Sequence, residues 1–284
     1  MIPTFVIFLR EGIEASMIVA LLLAYLKRTE KREHFRDVYF GVGSAIVFMF
    51  MAGVAAYLCI HRYSGSNIQT YFETTTYLVA AGFLTYMTLW MQSHSRSMAK
   101  ELQQRSDAAL SKGSRWGMRV LAFQSVIREG LETMVFTLAI IFASSRQAGT
   151  PVQGNLLWIG ALLGLAVALA LAYLMYHVGA KLNLRRFFKV MGTVLMVVAA
   201  GLVVDATENL QALDWLPFGK SILWDTHSWV AESSNNGDLL HSFLGYVDRP
   251  TILEASLWAA YITASLAWFL YKGRSAKKPV AAAA

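Results

Sequence analysis

The chain has 284 residues, of which 56% are hydrophobic and 15% charged, with a mean hydropathy of +0.45. Soluble domains carry roughly 45–50% apolar and about 25% charged residues, so the composition excludes a single soluble globule and fits a chain solvated by lipid. The net charge of +7 is spread between apolar stretches and not on one basic face, which argues against nucleic acid, and the single cysteine, Cys59, excludes an intramolecular disulfide, a CxxC redox pair and a cysteine zinc site.

A spanning helix takes about 20 mostly apolar residues. Seven such stretches follow in order, at 4–26, 38–60, 71–91, 120–143, 154–177, 187–207 and 252–271. They are continuous apolar runs, unlike the alternating ten-residue segments of an outer-membrane barrel, so an all-α polytopic protein is expected. The first stretch lacks the basic start and small-residue cleavage site of a secretory signal and is expected to stay in the mature protein. Between the spans, Lys plus Arg number 5 in 27–37, 1 in 61–70, 6 in 92–119, 1 in 144–153, 4 in 178–189, 2 in 208–250 and 4 in the tail. High and low alternate without exception. The positive-inside rule then sets the N-terminus outside and the C-terminus in the cytoplasm, which requires an odd number of spans.

Two connecting segments stand out. The basic segment 92–119 holds Met98, Leu102, Ala109 and Leu110 with Gly113 beyond, the pattern of a glycine-capped cytoplasmic helix, with a solvated linker helix as the plainer reading. The outer segment 208–250 carries Trp215, Trp224 and Trp229, which suit the membrane interface, and has room for a short surface helix.

The segment Arg10-Glu11-Gly12-Ile13-Glu14 is echoed 118 residues later by Arg128-Glu129-Gly130-Leu131-Glu132. Val79-Ala80-Ala81-Gly82 recurs 119 residues later as Val198-Ala199-Ala200-Gly201. Spans 1–3 therefore look duplicated as spans 4–6. Three is odd, so the second copy enters the membrane in the opposite sense, giving a 3+3 inverted repeat plus one extra helix. Secondary transporters of that architecture hold their substrate near the midplane, at the repeat interface.

Both charged motifs fall inside predicted spans, about 9–18 Å below opposite surfaces at 1.5 Å per residue. A charged residue at the bilayer centre costs about 2.5–3.5 kcal/mol on insertion scales, so four carboxylates and two guanidinium groups must face inward and be compensated. Arg10 and Glu14 are spaced i, i+4, and Glu11 and Glu14 i, i+3; Arg128, Glu129 and Glu132 repeat the pattern, placing each trio on one side of its helix. Gly12 and Gly130 would let the two helices approach closely, so that the four glutamates converge. With both arginines ionised the six groups sum to minus two, the charge a divalent cation would neutralise. Hard carboxylate oxygens suit iron, manganese, magnesium or calcium better than copper(I). A plainer reading is a buried Arg-Glu bridge that only sets helix register.

Two Arg-Glu-Gly-x-Glu motifs in spans 1 and 4 of a seven-span, N-out chain resemble the oxidase-dependent iron permease family, in its bacterial EfeU-type branch. Tyr25-Leu26-Lys27-Arg28-Thr29, Phe72-Glu73, Leu182-Asn183-Leu184 and Gly245-Tyr246 are similar to that branch too, so the resemblance runs essentially end to end. It implies import of ferrous or ferric iron across the bacterial cytoplasmic (inner) membrane, with Glu11, Glu14, Glu129 and Glu132 as the metal-handling positions and an extracytoplasmic iron-oxidising or iron-delivering partner. Iron is then substrate and no cofactor is implied. Asp205-Ala206-Thr207-Glu208 is similar to the Asp-Ala-Ser-Glu motif of fungal relatives, with Thr207 in place of Ser. Asp205 and Glu208, with Glu73, are candidates for an outer acidic site that concentrates cations, although acidic residues at helix ends are often simply solvated.

Other signals are weaker. Met87 and Met91, with His94 beyond, have a spacing that copper(I) sites use, but methionine also fills irregular packing. None of the six histidines forms HxxxH. No Glu is followed by His three residues later, as a bundle di-iron enzyme would require, and no phosphate-binding loop for ATP is present. The expected organisation is one transmembrane permease domain over 1–275 (repeat A 4–91, repeat B 120–207, extra span 252–271) with a cytoplasmic tail at 276–284. The expected function is a transporter and not an enzyme. A permease of the same architecture for lead or manganese, and a membrane-embedded carboxylate-metal oxidoreductase, are the alternatives.

Overall fold

The computed structural model describes residues 2–62, 67–94, 98–111, 115–147, 153–177, 184–232 and 234–275. Among them the chain folds into nine α-helices: α1 (Ile2–Arg28), α2 (Phe35–Arg62), α3 (Asn67–His94), α4 (Met98–Ser111), α5 (Arg115–Gln147), α6 (Gln153–His177), α7 (Leu184–Ala212), α8 (Asn235–Leu244) and α9 (Ile252–Ser275). No strand is formed among the described residues; the sole β pairing is an isolated bridge between Ile222 and Thr251. Each of the seven apolar stretches falls within one long helix. Arg32–Ala56, Arg186–Ala212 and Ile252–Phe269 are long and apolar enough to cross a membrane, and Leu157–Tyr173 is a shorter apolar helical stretch. The two motif helices, α1 and α5, carry their charges inside the apolar stretch, which lowers their hydropathy.

Large apolar side chains cover the outside of these helices. Phe40, Ile46, Phe50 and Leu58 of α2, Leu162 and Leu169 of α6 and Trp268 of α9 are all exposed. In water so much apolar surface would drive association; lipid is the solvent that suits it, and the chain is a polytopic membrane protein.

The chain divides into two compact units, neither of which is a single sequence repeat. The first comprises Met1–Phe72, Ser97–Phe142 and Ala148–Leu182; the second comprises Glu73–Arg96, Ala143–Gln147 and Asn183–Ala284. Each unit thus draws helices from both halves of the chain.

In the first unit α1 packs along α6 in a parallel sense. A methyl added at Gly12 would lie 2.7 Å from Ala168 Cβ, and one at Gly164 only 2.5 Å from the Phe5 carbonyl oxygen, so small residues let these two backbones approach. The copy-related pair behaves alike. A methyl at Gly130 of α5 would lie 2.7 Å from Met49 Cγ of α2, and one at Gly41 of α2 would meet the Arg119 carbonyl oxygen at 2.4 Å. Gly12 and Gly130 therefore do not face one another, as the spacing had suggested. At 100° per residue each glycine points away from the Arg-Glu side of its own helix and admits the second helix of the other copy.

Below the motif, Leu22 and Leu26 of α1 pack with Val38, Leu102, Met118 and Ala122. α4 is docked and not a free linker: Leu102 is buried in this cluster, Ala109 and Leu110 pack against it, and the Tyr25 hydroxyl donates to the Asp107 carboxylate. Gly113, the expected cap, lies outside the described residues. Asp37, buried at the start of α2, accepts from Arg119 Nε at 2.8 Å and pairs with His34 Nδ1 at 3.0 Å. Arg119 also lies over the rings of Phe40 and Trp116.

In the second unit α7 packs against α9 and α8. A methyl at Gly192 would lie 2.5 Å from Thr88 Cγ2 and 3.4 Å from Phe269. The outer segment does contain a surface helix, α8, capped at its start by the Ser234 side chain accepting from Gly237 N–H and closed by Gly245 in the left-handed conformation (φ 68°). A side chain at Gly245 would also strike Gly201 Cα at 2.4 Å, so only glycine allows α8 to end against α7. Trp215, Trp224 and Trp229 are exposed, as interface residues would be.

Candidate metal-handling site

The site begins with helix periodicity. On α1, Arg10 Nε donates to Glu14 Oε1 at 3.0 Å, one turn on, and Arg10 Nη1 lies 3.4 Å from Glu11 Oε1. On α5, Arg128 Nε donates to Glu132 Oε1 at 3.2 Å. All four carboxylates are buried. The two arginines differ: the Arg10 side chain is 3% exposed and that of Arg128 47%, so only the first motif is fully enclosed.

The motifs meet through three of their four acids. Glu11, Glu14 and Glu129 each bring an oxygen to within 4.8 Å of the other two, and they form the one such group of three potential ligands among the described residues. Ligands across a hard cation are separated by about twice the metal–oxygen distance, roughly 4–5 Å, so the spacing suits a single ion. Two carboxylate charges within 4.8 Å of one another repel by about 3 kcal/mol or more at an effective dielectric of about 20. Both oxygens of Glu11, and one oxygen each of Glu129 and Glu132, are buried without a hydrogen-bond partner. Buried acceptors left that way cost about 1–3 kcal/mol each. Glu132 sits one turn from Glu129 and is held by Arg128, outside the group of three.

Thr4 was not singled out by the sequence pattern because it carries no charge. Its Oγ1 is buried and unpartnered, and its position seven residues before Glu11 puts it on the same face of α1, about 10 Å nearer the N-terminus. The i, i+7 spacing was the signal that could have found it.

The three outer acidic candidates lie in different settings. Asp205 is buried and lies 3.1 Å from His241 Nε2, while His241 Nδ1 lies 3.3 Å from Glu232 and 2.9 Å from the Tyr246 carbonyl oxygen. Burial disfavours charge on His241, but Asp205, Glu232 and that carbonyl outweigh it and raise its pKa to about 9. Glu208 is exposed, and Glu73 is buried. These three acids do not form a group able to share an ion as the motif acids do. Asp205 instead anchors α8 to α7. Nearby, the Asp248 carboxyl is desolvated yet held below the usual range by His227 and the Glu232 N–H. Met87 and Met91 are buried packing residues, and the His94 side chain lies outside the described residues.

Residues 1–280 match the family described as the iron permease FTR1 family. The ferrous iron permease EfeU of Escherichia coli O6:K15:H31 (strain 536 / UPEC) is 32% identical over 282 residues, covering 97% of this chain and 97% of that protein. The EfeU of Shigella sonnei (strain Ss046) shares the same identity and coverage, and that of Yersinia pestis is 33% identical over 289 residues, covering 100% of this chain and 98% of its own. No solved structure matches. A helical membrane chain with a buried three-carboxylate cluster on α1 and α5, matched over almost its whole length, belongs to the iron permease FTR1 family.

Proposed function

We propose that this chain imports iron across the cytoplasmic (inner) membrane of a bacterium, with seven spans, the N-terminus outside and the C-terminus inside. Glu11, Glu14 and Glu129 take the ion, Glu132 joins them during passage, and Arg10 and Arg128 offset the charge of the acids when no ion is bound. The observation that carries the proposal is the meeting of acids from both motifs within 4.8 Å of one another in a buried setting. The paired helices α1–α6 and α2–α5 supply two bodies whose relative movement would open the site to one side and then the other. An extracytoplasmic partner presents the iron, as ferrous or ferric ion.

The test is uptake of radiolabelled iron by cells carrying Glu→Gln substitutions at positions 11, 14, 129 and 132. Each should abolish uptake while abundance in the membrane is unchanged; near-normal uptake in all four would refute the proposal. Flux into proteoliposomes with ferrous, ferric, manganese and lead ions in competition separates iron from other heavy metals. Oxygen-dependent turnover by detergent-solubilised protein would instead favour an enzyme.

A further inference from the structure

A cavity of about 970 Å³ runs beside α1, beginning at Ile13 and passing Met17 and Ala20 to end among the cations Lys27, Arg28 and Arg32. Ala172 of α6 forms part of its other wall. A second hollow of about 420 Å³ shares Lys27 and Arg32 with Glu30 and Glu33. The three cations are exposed, and none of them is ion-paired with a described carboxylate. Ile13 to Arg28 spans about 22 Å of helix, which covers one leaflet of a bilayer core of about 30 Å and reaches its headgroup layer.

As an exit for iron this hollow is poorly built, because three positive charges at its mouth repel a cation. Its chemistry is that of a ligand with an apolar body and an anionic end. We propose that the cavity is a binding site for an anionic phospholipid of the cytoplasmic leaflet, with the phosphate among Lys27, Arg28 and Arg32 and an acyl chain lying along the Met17 and Ala20 face toward Ile13. Lys27 and Arg28, in the last turn of α1, also complement its helix dipole. The site is independent of which ion is carried.

The experiment uses full-length protein reconstituted in nanodiscs of mixed phosphatidylglycerol and phosphatidylcholine, re-extracted in detergent, with retained lipid counted by native mass spectrometry. The wild type should retain phosphatidylglycerol ~10-fold or more over phosphatidylcholine, since several interfacial cations act together. The combined Lys27→Gln, Arg28→Gln, Arg32→Gln variant should lose that preference. Ala20→Phe, which fills the apolar wall and keeps the cations, should lower retention of both lipids, and inorganic phosphate should not displace the lipid. Equal retention of the two lipids by the wild type would overturn the proposal, as would an unchanged preference in the triple variant. Displacement by inorganic phosphate with no effect of Ala20→Phe would overturn it in favour of a soluble-anion site. Monodisperse elution of both variants excludes misfolding as the cause of a loss.

Discussion

Arg10 grips Glu14 from one helical turn away, Nε to Oε1 at 3.0 Å, with both side chains only 3% exposed. The copy-related pair, Arg128 and Glu132, has nearly the same geometry but leaves its arginine 47% exposed. Two motifs with the same Arg, Glu and Gly residues are thus in unequal surroundings.

That inequality predicts unequal responses to arginine replacement. Arg10→Lys keeps the charge but loses the planar fork that reaches Glu11 and Glu14 together, and the enclosed acids have no water to turn to. Iron uptake, normalised for membrane abundance, should fall roughly 10-fold or more, because breaking a buried charge pair costs several kcal/mol. Arg128→Lys should lose no more than about 3-fold, since solvent already screens the half-exposed guanidinium. Equal losses would show that exposure at this position does not matter.

The helix contacts predict a ranking of glycine substitutions. In Gly12→Ala the new methyl meets Ala168 Cβ at 2.7 Å, a group fixed to its backbone, whereas in Gly130→Ala it meets the flexible side chain of Met49 at the same distance. Overpacking a rigid contact costs about 1–3 kcal/mol. Thermal unfolding in detergent should show Gly12→Ala with the lower Tm of the two, and Gly164→Ala, directed at a backbone oxygen, lower still.

Thr4→Val removes a buried hydroxyl that has no partner. The fold should gain about 1 kcal/mol, because an unsatisfied buried polar group is lost. If the hydroxyl serves the ion on its way to Glu11, uptake should nevertheless fall a few-fold. Higher Tm with lower uptake is the expected pairing; unchanged uptake would leave Thr4 without a role in transport.

His241 predicts the pH response of the outer segment. Its folded pKa of about 9 lies above the ordinary 6.5, so protonation favours the docked form. The stabilisation, at most roughly 3 kcal/mol, is fully present below about pH 6.5 and is lost as the pH rises through about 9. Proteolysis within residues 213–250 should therefore speed up above pH 9 in the wild type. In His241→Gln it should be fast already at neutral pH and nearly independent of pH.

Helix positions were legible in the sequence because lipid demands long apolar runs, and each of the seven runs is one helix in the structure. The short helix α8 and the docking of α4 were only partly legible, since Leu102, Ala109 and Leu110 show an apolar face without saying what covers it. The pairing of His241 with Asp205 was not legible: they lie 36 positions apart, and no local pattern marks a contact made by the return of a loop.

By itself the sequence determined that charges are carried inside apolar helices, that they come in two related sets, and that each set has its Arg and Glu on one side of a helix. Those properties follow from chemical identity and from a period of 3.6 residues, which are local. Tertiary structure alone decided that three and not four acids share one point, that Gly12 and Gly130 admit α6 and α2 and not each other, and that the two arginines differ in exposure. These depend on which helices pack together and how closely, and that is set by the shapes of residues such as Ala168 and Met49, which no motif contains.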